Sequence, residues 1–292
     1  MDYIVADIRF SLPDELLAGH FAQALAPFAA SAKGAADLRL CRRERLAPAA
    51  DYCEIDSFDF ADADADCRFG RDAEGYLLEM TPRGGGPSAS FRMRPGASEA
   101  LTDYTLHHHP ALLRFGVWTI FNLVAVARQR LAIHSSVLLF RGGAVLVLGE
   151  SGTGKSTHTR LWREHIPGAG LLNDDSPIVR IDAGGGIAEA CGSPWSGKVP
   201  CYRNEHYPIR AFLRLSQAPH NRIRKLRPVE AIGALLPSCP PTFAHDRELL
   251  DSTCAVVSAL LARVPCYHLE CLPDAEAARL SCRTIFADEN LF

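Results

Sequence analysis

Apolar and polar positions alternate along residues 3–10, a period of two that predicts a strand. Residues 13–27 predict a helix, opened by Ser11 and Pro13 with acidic residues in its first turn. Short strands are predicted over 37–42, 66–70, 75–80 and 88–93, with Arg83-Gly-Gly-Gly-Pro87 as the turn between the last two. Residues 110–130 are apolar at helical length and predict a long, buried helix. The pattern then changes. Residues 132–140 predict a strand, Arg141-Gly142-Gly143 a tight turn, and 144–148 a second, wholly apolar strand. A glycine-rich stretch follows, then a helix to about Ile166 and a short strand over 170–173 ending in an Asp pair. Residues 177–181 and 187–191 predict a hairpin around Gly184-Gly185-Gly186. Strands over 210–215, 222–226 and 265–272 and helices over 228–236, 246–263 and 274–286 complete the pattern. There is no internal repeat. The expected fold class is α/β, with a mixed, strand-rich N-terminal region over 1–105 and a second domain over 106–292.

Composition narrows the function classes. Apolar residues make up 48% and charged residues 22% of the 292, as in a globular chain with a core. The formal charge of −3 offers no field for nucleic acid or an anionic membrane. The N-terminus lacks a basic start followed by an apolar run, so no signal peptide is expected. The most apolar stretch, 111–131, carries Arg114, Asn122, Arg128 and Arg130, which argues against a membrane span. None of the ten cysteines forms a C-x-x-C pair, which argues against zinc and for reduced thiols in the cytoplasm. Asp62-Ala-Asp64-Ala-Asp66 resembles the start of a calcium loop. Cys67 and Ala73 stand where such a loop needs Gly and Glu, so a plain acidic loop is expected. His107, His108 and His109 are consecutive and cannot all face one metal from a regular element, so they are assigned to a loop before Pro110.

Candidate chemistry concentrates between residues 130 and 200. Gly149-Glu-Ser151-Gly152-Thr153-Gly154-Lys155-Ser156 matches the P-loop pattern G-x-x-x-x-G-K-[ST] at every fixed position, with a buried strand before it and a helix after it. The glycines let backbone N–H groups wrap a phosphate, and the helix N-terminus adds partial positive charge. Lys155 supplies a compact ammonium for the β- and γ-phosphates; Ser156 supplies a hydroxyl for Mg²⁺; Thr157 continues the loop into the helix. Asn173-Asp174-Asp175 begins eighteen residues past Lys155, room for one helix and one strand. One carboxylate can hold the metal while the other orients or deprotonates an acceptor hydroxyl. Only four lysines occur among 31 basic residues. Two of them, Lys155 and Lys198, end Gly-containing loops in this stretch.

The segment IHSSVLLF–GG–AVLVLGESGTGKST followed by LLNDD resembles the P-loop kinase core shared by HPr kinase/phosphorylase and phosphoenolpyruvate carboxykinase. More generally it is similar to HPr-kinase-like serine kinases, whose N-terminal part varies. The resemblance covers about residues 130–200. It implies binding of ATP and Mg²⁺, with Mn²⁺ as an alternative metal, and phosphoryl transfer to an acceptor oxygen. It places His134 near the metal or phosphates and gives Asp174 and Asp175 the base and metal roles, with the division between them open. Glu189-Ala190-Cys191-Gly192 departs from the Glu-x-Arg-Gly of HPr kinases, which argues against HPr as acceptor. Residues 102–133 contain no lysine, against the carboxykinase pattern and against oxaloacetate decarboxylation.

Gly192-Ser-Pro-Trp195-Ser-Gly197-Lys198 has the composition of a functional loop. Lys198 is assigned to the γ-phosphate or the acceptor, with Tyr202 and Arg203 beside the acceptor. His158 and His165 are read as surface or packing residues, and Trp118 and Trp162 as core. Arg222, Arg224, Lys225 and Arg227 are read as a solvated strand edge that could also receive an acidic acceptor protein. Cys239 and Cys254 lack an assignable base. The expected protein is a cytoplasmic, ATP-dependent kinase acting on a serine hydroxyl, free or in a peptide or protein, and able to assemble as a homo-oligomer. The alternatives are a nucleotide-binding regulator with little turnover and a carboxykinase-like lyase.

Overall fold

The computed structural model describes residues 1–32, 34–182, 184, 186–197 and 200–287. It is a mixed α/β protein in two compact units, Met1–Arg128 with Thr242–Ser252, and Gln129–Pro241 with Thr253–Phe292.

The first unit is built on an eight-stranded mixed sheet. Its strands are β1 (Asp2–Val5), β2 (Ile8–Ser11), β3 (Leu38–Arg42), β4 (Cys53–Phe60), β5 (Ala65–Asp72), β6 (Gly75–Pro82), β7 (Ala89–Met93) and β8 (Glu99–Thr102), in the order β1-β2-β3-β8-β7-β6-β5-β4. The single strand expected over 3–10 is a hairpin instead. Ala6 and Asp7, at φ 48 and 62, make the two-residue turn whose twist matches the strands it joins. The helix expected over 13–27 reduces to α1 (Gly19–Leu25) between short 3-10 turns. Helix α2 (Pro110–Ala127) packs on the sheet. A Cβ on Gly116 would lie 2.2 Å from the Phe91 ring, so only glycine allows the approach. This packing explains why the unit extends to Arg128 rather than to the expected boundary at 105. By length and composition α2 could cross a membrane, yet 67% of it is buried inside the protein. His109 caps it, its Nδ1 accepting from the Ala111 N–H at 3.3 Å. The acidic stretch near Asp62 is a 3-10 turn (Ala61–Ala63), and Arg83 closes it by pairing with Asp59 and Asp66.

The second unit carries the nine-stranded mixed sheet. Its strands are β9 (Arg130–Ala132), β10 (Ser135–Phe140), β11 (Gly143–Leu148), β12 (Gly170–Asp175), β13 (Ile178–Ile181), β14 (Ala188–Cys191), β15 (His206–Gln217), β16 (Arg222–Lys225) and β17 (Cys266–Cys271). The path runs β12-β10-β11-β15-β14-β13-β9, and β17 joins β15 to β16. Its helices are α3 (Lys155–His165), α4 (Pro228–Leu235), the part of α5 (Arg247–Leu261) from Thr253 onward, and α6 (Ala275–Ile285). The expected hairpin into the glycine-rich loop is present. β10 and β11 pair antiparallel about Arg141 and Gly142, whose φ of 46 and 70 define the turn. On its other side β11 pairs with β15 in parallel, which makes the sheet mixed. The strand expected over 132–140 is two strands. β9 pairs with β13, β10 pairs with β11 and β12, and the chain changes partners at Ile133 and His134. There the Ile133 N–H donates to Pro177 O at 3.1 Å and the His134 N–H to Ser238 O at 2.7 Å.

One face of this sheet is buried under α3 and α6. Leu138, Val145, Val147, Leu213 and Leu269 meet Leu161, Trp162, Ala278 and Cys282. Phe140 packs edge-on against Phe286 at 5.1 Å. This apolar contact holds the second half of α3 against β10 and β11 and so fixes the direction in which the helix leaves the glycine-rich loop.

Candidate functional site

The glycine-rich loop begins where β11 runs out. Gly149, Gly152 and Gly154 have φ of 154, 83 and 101, which a side chain would strain. Gly149 is also crowded, because a Cβ there would meet Thr153 Oγ1 at 2.4 Å. Gly154 is the N-cap of α3, so the helix starts at Lys155 with its free N–H groups at the loop. The Lys155 ammonium folds back over the loop, donating to Gly149 O at 2.6 Å and to Glu150 O at 3.2 Å. Ser151 and Ser156 are exposed, and Thr157 is half-buried.

Register brings the Asp pair beside this loop. Ser135 of β10 lies opposite Leu148 on one side and Asp175 on the other, and Ser136 lies opposite Asp174. Two strand spacings put the pair roughly 10 Å from the end of β11, measured along the sheet. Asp174 is buried, and its carboxylate accepts from the Ser136 hydroxyl. Asp175 is more open, at φ 141, a backbone conformation rare outside glycine. Its Oδ1 lies 3.6 Å from His134 Nδ1. Loss of water around the ring lowers His134 below the ordinary imidazole range, and the Lys155 charge adds to this, while Asp175 and Asp174 oppose it. Desolvation likewise lowers Lys155, again opposed by Asp175 and Asp174. The ammonium, the imidazole and both carboxylates therefore share one electrostatic field.

The loop after β14 closes on the pair. The Gly197 N–H donates to Asp174 O at 2.6 Å, and the Ser196 hydroxyl to the same oxygen at 3.3 Å. Asn173 ties the loop down from beneath, its amide donating to Ser193 O and Trp195 O at 3.3 Å, while its Oδ1 accepts from the Ser176 N–H at 3.0 Å. Trp195 is buried and anchors the loop. Lys198 lies outside the described residues. Arg203 is engaged elsewhere, pairing with Glu205 at 2.8 Å and donating to Leu171 O, at the opposite end of β12 from the Asp pair. Arg224 and Arg227 pair with Glu230 at 3.1 and 3.2 Å on the edge formed by β16. His158 is a buried core residue and Trp162 is fully buried, whereas Trp118 is only partly buried. Burial pushes the Cys239 thiol up to about 12, which suits packing and not nucleophilic attack.

Two loop partners have no signal in the sequence. The Gln217 amide donates to Gly152 O at 3.1 Å, and Arg214 pairs with Glu150 at 3.5 Å. Both sit on β15, brought in by its parallel pairing with β11. Next to the loop lies a cavity of about 580 Å³, lined by Gly152, Thr153 and Thr157 and by the apolar Leu161, Leu215 and Leu272. Gln217 also borders it.

No family model matches the chain, and no curated protein does. Among solved structures, it is similar to the Hpr(Ser) kinase/phosphatase from Coxiella burnetii, at 13% identity over 55% of this chain and 90% of that one. The TM-score is 0.31, too low to carry an argument.

Proposed function

We propose that this chain is an ATP-dependent kinase of the P-loop type that phosphorylates a hydroxyl acceptor, a serine either free or in a peptide or protein. One observation carries the reading. A lysine at the start of a helix behind a glycine-rich loop shares its field with two carboxylates and a histidine on neighbouring strand ends. Loop N–H groups and Lys155 would bind the phosphates, and the adjacent cavity, with apolar walls and one amide, suits a nucleoside. Ser156 and a carboxylate of the Asp pair are hard oxygen donors of the kind Mg²⁺ takes, and they would hold it. When bound, that ion supplies charge neutralisation at the phosphates.

Asp175, open and beside His134, would receive the proton of an acceptor hydroxyl, with the imidazole orienting the carboxylate. The loop over 192–197 would cover the reacting groups and limit water. The ten free thiols and the ATP requirement fit a reducing, cytoplasmic setting.

The test is incubation with ATP, Mg²⁺ and candidate acceptors, including free L-serine and serine-containing peptides, followed by product analysis. Phosphorylated acceptor with matching ADP supports the kinase. Tight ATP binding with no product from any acceptor overturns it in favour of a nucleotide-responsive regulator.

A further inference from the structure

Ser136 is a buried serine on β10, one of the least exposed polar residues in the unit. Nothing in its local sequence explains a hydroxyl there, since the strand from Ser135 to Phe140 is buried at every position. Its register explains it. Ser136 lies directly opposite Asp174, and its Oγ–H donates to Asp174 Oδ1. A carboxylate at 7% exposure needs such a donor, because an unpaired buried charge is costly.

Asp174 is held from a second side. Its carbonyl oxygen accepts from the Gly197 N–H at 2.6 Å and from the Ser196 hydroxyl at 3.3 Å. One residue therefore links β10, through its carboxylate, to the loop over 192–197, through its backbone. Asp175 lies across the same strand from Ser135, whose hydroxyl donates to Ile133 O at 3.2 Å.

We propose that Ser136 is a positioning residue for phosphoryl transfer. It fixes the rotamer of Asp174, so that this carboxylate is set before substrate binds. The inference rests on the kinase reading above. It assigns Ser136 no contact with substrate, and its effect passes through Asp174 alone.

The experiment compares wild type with Ser136→Ala, Ser136→Thr, Asp174→Asn and the double variant Ser136→Ala/Asp174→Asn. Turnover is followed with the best acceptor, and ATP affinity by calorimetry. Ser136→Ala is expected to lower kcat about 10- to 100-fold, the usual loss when the residue behind a functional group is removed, with KM for the acceptor and ATP affinity little changed. Ser136→Thr, which keeps the hydroxyl, is expected to recover most of the rate. The double variant should be no slower than Asp174→Asn, because both changes act through one carboxylate. Ser135→Ala is the control for loss of a neighbouring buried hydroxyl and should keep the wild-type rate. A Ser136→Ala protein with wild-type kcat, or losses that multiply in the double variant, overturns the inference while leaving the kinase reading intact. A wild type that neither binds ATP nor transfers phosphate overturns the kinase reading and this inference with it.

Discussion

The indole N–H of Trp162 donates to Nε2 of His158 at 3.1 Å, one turn apart on α3 and wholly inside the second unit. Ser281 of α6 completes the cluster, its hydroxyl 2.9 Å from the indole nitrogen and 3.2 Å from the same imidazole nitrogen. Burial and an indole N–H aimed at Nε2 both disfavour the charged imidazole.

Burial pushes His158 down to about 4 from the 6.5 of an ordinary imidazole. The unfolded chain therefore binds this proton more readily than the folded one between those pH values, and stability falls as pH drops through the window. From pH 7.5 to 5, the contribution lost is on the order of 2 kcal/mol. Urea denaturation of wild type and His158→Gln at both pH values checks this. The variant is expected to lose less stability over the same interval, and equal slopes would refute the assignment.

Lys155→Met is expected to reduce phosphoryl transfer by at least about 100-fold, the scale of removing one preorganised charge at a reacting group. Lys155→Arg should not restore it, because a planar guanidinium is too wide for a site wrapped by backbone. Circular dichroism should be unchanged, since Lys155 is only partly buried and its bonds are to loop carbonyls.

For Asp175→Asn, kcat is expected to fall by about 10² to 10⁴, the range for loss of a general base. ATP affinity measured without acceptor should change far less. His134→Gln should give a smaller loss, because the imidazole acts on Asp175 and not on the acceptor. A larger effect of the histidine change than of the aspartate change would reverse these roles.

Gly192→Ala and Gly233→Ala should move stability in opposite directions. A Cβ on Gly192 would lie 1.8 Å from Arg203 O, a backbone atom that cannot turn away. A loss on the order of 3 kcal/mol is expected. Gly233 lies inside α4 with nothing within 4 Å of an added Cβ, so alanine there should gain about 0.5–1 kcal/mol. Thermal melts of the two variants decide both.

Where the first unit departs from the sequence reading, the local pattern had little to offer. β4 carries little local signal, because its residues are exposed or half-exposed and half of them are polar. It exists through its pairing with β5. The hairpin at Ala6 and Asp7 lacks the glycine or asparagine that marks such a turn. In the second unit the hairpin of β10 and β11 was legible, because Arg141-Gly142-Gly143 interrupts two apolar runs and only a tight turn satisfies that spacing.

The sequence by itself determined the elements whose cause is local: the apolar β11, the glycines that must turn, the lysine that follows them and the helix it begins. Their physics acts between neighbours in the chain, so pattern and spacing suffice. Tertiary structure alone decided which Asp is buried and which is open, that Ser136 holds the first, and that Gln217 and Arg214 reach the loop. Those contacts join residues 38, 65 and 64 positions apart. They follow from strand register, which is set by packing the whole sheet face under α3 and α6 and by no single stretch of chain.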